Sequence, residues 1–140
     1  MRKSKGVLRG LSAVAAAFLC AGFAYALTRS PVFSGEGYEF SAGASSSACV
    51  VRTDTPVLYK LFTPVAGESA RWEGDMRRAL LARYRAEVLF VEEACGVTAY
   101  YCHSPLLGGG VLLEGECINL QIAWDGSRTA AGTPVIFGGF

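Results

Sequence analysis

The sequence predicts an α+β domain: an antiparallel β-meander sheet with one main amphipathic helix packed on one face, preceded by a single N-terminal apolar helix. Three observations carry that expectation. Residues 11–27 form a run of 17 that is apolar except for Ser12. Residues 75–86 hold apolar side chains at helical spacing with no Gly or Pro. From Glu87 onward, short β-prone stretches alternate with glycine-containing turns.

The first ten residues carry Arg2, Lys3, Lys5 and Arg9 and no acid. A basic start followed by an apolar run has the form of an export signal or a membrane anchor. A spanning helix wants ~20 apolar residues, with ~17 the low end, and a signal-peptide core ~7–15, so this run lies on the boundary between the two readings. Residues 24–26 (Ala-Tyr-Ala) supply the small-x-small pattern read by a signal peptidase, which places a cleavage site after Ala26. Two fates stay open: secretion after that cleavage, or retention as a single span, the reading we favour. In both, the positive charges stay cytoplasmic and the chain from Ser30 onward is extracytoplasmic. Lipidation at Cys20 is excluded, because Leu19 stands where lipoprotein processing needs a small residue. A buried helix of a soluble domain would show a polar face, and this run has none.

The expected organisation is therefore a signal peptide or anchor over residues 1–30, a linker over 31–37 and an exported domain over 38–140. Beyond residue 30 the chain carries 8 Lys and Arg against 12 Asp and Glu, a net charge of −4 hidden by the overall +1. An acidic exported domain is a poor partner for nucleic acid, since phosphate contacts need clustered cations. The expected partners are the membrane, through the N-terminal segment, and an envelope protein or cell-wall polymer.

Within the domain, residues 38–40 and 48–52 read as short strands flanking a turn of small residues at 41–47. Residues 57–62 suggest one helical turn between Thr-Pro breaks. Residues 67–72 suggest a further strand. The main helix is expected over 75–86 with Asp75 as N-cap and Met76, Leu80 and Tyr84 on one face. Residues 87–94 and 97–104 read as a hairpin. A second hairpin pairs 111–114 with 117–124 across a turn with Gly115 first, as a type II′ turn requires. In 117–124, Ile118, Leu120, Ile122 and Trp124 face one way and Asn119 and Gln121 the other. Residues 133–137 make the last expected strand, beginning or at an edge because Pro134 lacks an N–H.

No motif fixes a reaction, and no catalytic, cofactor-binding or metal-binding residue is assigned. Cys49, Cys95, Cys102 and Cys117 allow two disulfides with three connectivities, or four unpaired core thiols. Cys95, Cys102 and His103 offer zinc-type donors, but the gap is wrong. Cys95 in a turn and Cys102 down a strand lie roughly 20 Å apart at ~3.3 Å per residue. The alternative reading is an extracytoplasmic cysteine-dependent enzyme, a sortase-like transpeptidase or a hydrolase. His103 is the sole histidine, and no cysteine sits in the strand context such enzymes use. Glu92 and Glu93 with Asp54 or Glu114 read as solvated acids, and residues 108–110 (Gly-Gly-Gly) as a flexible link rather than a phosphate loop. Arg77, Arg78, Arg83 and Arg85 read as a solvated helix face.

Five stretches together resemble the YwmB-like exported proteins of spore-forming Gram-positive bacteria: YEFSAGASSSACVV, VAGESARW with its helix, EVLFVEEACGVTAYYCHSPLL, GECINLQIAW and GTPVIFGGF. The matching positions are Gly115, Asn119, Leu120, Ile122 and Ala123, then Gly132, Thr133, Pro134 and Ile136. The resemblance covers residues 38–140. It implies an N-terminal apolar segment and an exported α+β domain, and it carries over no catalytic residue. The "TATA-box binding" label borne by some members reflects fold, not DNA binding. The functional expectation is a non-enzymatic interaction module of the cell envelope.

Overall fold

A computed structural model describes residues 2–42 and 49–138. The chain divides into two compact units, residues 1–30 and 31–140. The first is one helix, α1 (Arg2–Thr28). Its stretch Gly6–Thr28 is 23 residues long with a mean hydropathy of 1.9, long and apolar enough to be a membrane span or a signal sequence.

The second unit is α+β, as the sequence predicts. In chain order it holds β1 (Glu36–Ala42), β2 (Cys49–Arg52), α2 (Pro56–Phe62), β3 (Gly67–Glu73), α3 (Arg77–Tyr84), β4 (Glu87–Ala94), β5 (Val97–His103), β6 (Val111–Leu113), β7 (Glu116–Ile118), β8 (Leu120–Trp124) and β9 (Arg128–Thr133). Seven strands form one sheet, ordered β2-β1-β3-β9-β8-β5-β4, and every pairing is antiparallel. β6 and β7 form a separate ribbon. The chain does not run through the sheet in strict sequence order. β3 pairs with β9, so the third and the last strands of the domain meet at the centre of the sheet.

One face of this sheet carries the core. Ala70 lies opposite Ala131, Ala131 opposite Ile122, and Ile122 opposite Tyr100. Leu80 and Tyr84 of α3 and Tyr59 of α2 pack onto that row, with Phe40, Leu120 and Cys102 beside it. Leu80 and Tyr84 are the inward pair that the four-residue spacing predicts. α3 is shorter than expected, because tertiary bonds fix its start. The Met76 N–H donates to Thr129 Oγ1 at 3.0 Å, and Thr129 donates in turn to the Gly74 carbonyl at 2.7 Å. Met76, not Asp75, is the N-cap residue; Asp75 Oδ1 accepts the Arg77 N–H from one position earlier. The helix ends on Arg85 in the left-handed region at φ 48°.

Three expectations need correction. Residues 31–37 are not a linker. Phe33 is 4% exposed and its ring meets Trp72 and Tyr84 edge-on at 5.9 and 5.7 Å. The last strand is not 133–137 but β9, whose Thr129, Ala130, Ala131 and Gly132 are buried. Residues 134–138 instead cross the second face of the sheet, where the Ile136 N–H donates to Gln121 Oε1 at 2.9 Å. A Cβ at Gly67 or Gly132 would overlap this tail, so glycine there lets it lie flat. Asn119 does not face solvent. It sits where the chain leaves β7 for β8, and it pins the loop after β5. Its Oδ1 accepts the Ser104 N–H at 2.7 Å, and its Nδ2 donates to the Ser104 and Leu107 carbonyls at 2.8 and 2.9 Å. The small-residue turn expected at 41–47 falls mostly outside the described residues.

These contacts predict unequal costs for neighbouring substitutions on β8. Leu120 is fully buried, so Leu120→Ala is expected to cost ~2–5 kcal/mol. Gln121→Ala loses one half-buried hydrogen bond and is expected to cost ~0.5–1.5 kcal/mol. Urea titration of both variants checks this; equal losses would mean that the two faces of β8 are packed alike.

Candidate functional site

A cleft of about 450 Å³ lies at the end of the sheet where β3 begins and β9 ends. Its walls come from Val32, from Lys60 on α2, from residues 65–68, from the 107–111 loop and from the tail at 133–137. Most of this surface is apolar, and the glycines of 108–110 form one rim. Gly110 has φ 140°, and a Cβ there would run into the Cys117 sulfur. The rim therefore needs glycine for conformation and for space, not for phosphate binding.

The polar centre is Glu68. Strand alternation puts it on the same face as Ala70, so β3 drives a carboxylate into the covered side of the sheet. Glu68 Oε1 accepts the Val32 N–H at 2.8 Å and pairs with Lys60 Nζ at 2.9 Å. The two side chains are 3% and 13% exposed. Such burial is rare for either residue type and requires pairing. Glu68 Oε2 is buried and has no hydrogen-bond partner.

Two tyrosines complete the surround. The Tyr84 hydroxyl donates to the Val32 carbonyl at 2.7 Å, and the Tyr38 hydroxyl accepts the Phe33 N–H at 3.0 Å. Burial, then the Glu68 charge, raise the Tyr38 phenol well above its usual range. Burial likewise raises Tyr84. Residues 32–33 are thus held by three side chains from three elements.

The residues that the sequence singled out do not gather here. Cys49 and Cys95 are exposed and Cys102 is buried; all described cysteines are free thiols. Burial pushes the Cys102 thiol up to about 11, so it is protonated at neutral pH. His103 points away from Cys102, and its Nδ1 lies 3.0 Å from the Cys117 carbonyl oxygen. The Cys117 thiol contacts the Gly109 carbonyl at 3.9 Å. Glu92 accepts the Tyr101 hydroxyl at 3.1 Å, and Glu93, Asp54 and Glu114 are exposed. Among the described residues, no three His, Cys, Asp or Glu side chains converge to hold a metal. Arg78, Arg83 and Arg85 form the solvated face expected of them. Arg77 is tied down instead, bonded to Asp75 at 2.7 Å and to the Tyr100 hydroxyl at 2.8 Å, and stacked over Trp124 at 5.1 Å. That fork holds the Asp75 carboxyl down at about 2.

Sequence reasoning missed Lys60 and Glu68. Two signals were present: a lone lysine inside the apolar VLYKLF, and an acid two residues from a core alanine on a strand. Chemically, the cleft offers apolar walls and a neutralised ion pair. Neither a cysteine nor the histidine lines it. No protein-family model, curated protein or solved structure matches the chain.

Removing one partner of the pair leaves a buried charge alone. Lys60→Ala is therefore expected to destabilise the domain by ~3–5 kcal/mol, while the double change Lys60→Met with Glu68→Leu is near neutral. Denaturant titration of both variants checks this. A loss below ~1 kcal/mol for Lys60→Ala would place the pair among weak surface bridges.

Proposed function

We propose that the chain is an exported, membrane-tethered interaction module of the cell envelope, of the YwmB-like kind, and not an enzyme. The observation that carries this reading is the apolar stretch Gly6–Thr28, joined directly to a separately compact unit, residues 31–140. A 23-residue helix at ~1.5 Å per residue reaches about 35 Å, enough for a hydrocarbon core of ~30 Å. Arg2, Lys3 and Lys5 before it, with Arg9 in its first turn, favour a cytoplasmic N-terminus.

The net charge of −4 beyond residue 30 argues against nucleic acid as a partner. Against the cysteine-dependent alternative stands the thiol next to the histidine. Cys102 is buried with a raised pKa, and adjacent strand residues put His103 on the opposite face. The cleft around Lys60 and Glu68 is the natural seat for an envelope ligand, held by shape and apolar contact.

Intact cells and a membrane-impermeant maleimide test the topology. Exposed Cys95 sits in the β4–β5 turn and is expected to label from outside, in a protein that stays with the membrane after alkaline carbonate washing. Cys102 is expected to label only after denaturation. Labelling of Cys95 only in lysed cells would reverse the topology, and fast labelling of Cys102 in the folded protein would restore the enzyme reading.

A further inference from the structure

α2 is amphipathic in the wrong sense for water. Its inward side carries Tyr59, stacked on Phe40 at 5.2 Å, and Lys60, turned in toward Glu68. Its outward side carries Val57, Leu58 and Phe62, which are 60%, 58% and 80% exposed. A helix in water normally shows its lysine and hides its phenylalanine. Here the one cation is inside and three large apolar groups are outside.

The place of this face in the chain selects its partner. Lys60 and the Val32 N–H meet on the same carboxylate oxygen of Glu68, so α2 lies beside the point where residue 32 enters the domain. Thr28 is the last residue of α1. Four residue steps of ~3.5 Å reach at most about 14 Å from Thr28 to Val32. The polar headgroup layer is itself ~5–8 Å deep on each side of the hydrocarbon. For a span ending at Thr28, residue 32, beside α2, is therefore no more than about 14 Å of chain from the end of that span.

From these two observations we infer that the outward face of α2 docks on the outer leaflet of the membrane, with Val57, Leu58 and Phe62 seated at the level of the headgroups and upper acyl chains. The inference rests on the reading of α1 as a retained anchor. The docked domain is net acidic, so apolar contact rather than anionic lipid supplies the attraction. Docking fixes the orientation of the domain.

The test uses the full chain in vesicles of phosphatidylcholine with a minor share of phosphatidylglycerol. Phe62→Trp reports on α2. Val91→Trp is the control, on the exposed β4 edge five strands from β1, roughly 24 Å away. The signal from Trp72 and Trp124 is subtracted with the unsubstituted protein. Carbonate flotation first reads the anchor. In floating protein, lipid brominated high on its acyl chains is expected to quench Phe62→Trp about twice as strongly as Val91→Trp, as interfacial burial of ~5–10 Å requires. Equal quenching overturns the docking and leaves the anchor standing. Failure to float overturns both. Phe62→Trp that is open to iodide in vesicles yet shielded in native membranes identifies a protein partner, and overturns the lipid assignment.

Discussion

The Glu68 carboxylate is the constraint on which the arrangement of this domain depends. One of its oxygens holds both the Val32 N–H and the Lys60 ammonium. Through those bonds a central strand, the entering chain and α2 are joined at one atom. Taking a carboxylate out of water costs several kcal/mol, and an ion pair recovers that only with good geometry and further hydrogen bonds. Here the geometry is good, but Oε2 stays without a partner. The pair is thus better understood as a device for register than as a source of stability. It specifies which residue enters the core and which side of α2 turns inward.

A second polar node, Asn119, works the same way just before the start of β8. It takes up both a donor and two acceptors of the 104–107 loop. The loop then leads into the β6–β7 ribbon and the glycine rim of the cleft. Two buried polar groups, Glu68 and Asn119, therefore set the two sides of the same concavity. No cysteine lines the concavity, although the Cys117 thiol lies 3.9 Å from the Gly109 carbonyl of its rim.

How much of this was legible follows from the range of each interaction. The apolar helix, the Leu80–Tyr84 face and the alternation of Leu120 and Ile122 are local patterns, and they read directly from the sequence. β9 did not, because RTAAGT is poor in β-branched and aromatic residues. It is a strand because β3 and β8 offer it backbone on both sides, a non-local cause. Residues 31–37 read as a linker because Pro, Ser and Gly dominate them. Phe33 becomes core only through Trp72 and Tyr84, which arrive much later in the chain. Asn119 followed the strand alternation to the polar side, yet the loop beyond β5 covers that side. Of the candidate site, only the glycine rim was noticed. The Lys60–Glu68 pair needed the pairing of β1 with β3 and the position of α2, which no local pattern encodes.

The most direct measurement of the central claim is amide hydrogen exchange at Val32 in the full chain. If Glu68 anchors the entering segment, the Val32 N–H exchanges slowly, together with the amides of β5 and β8. In the Lys60→Met, Glu68→Leu double variant the domain stays folded, β5 and β8 keep their protection, and Val32 alone loses it. A Val32 amide that already exchanges freely in the unsubstituted protein, or that stays protected in the double variant, would contradict the account.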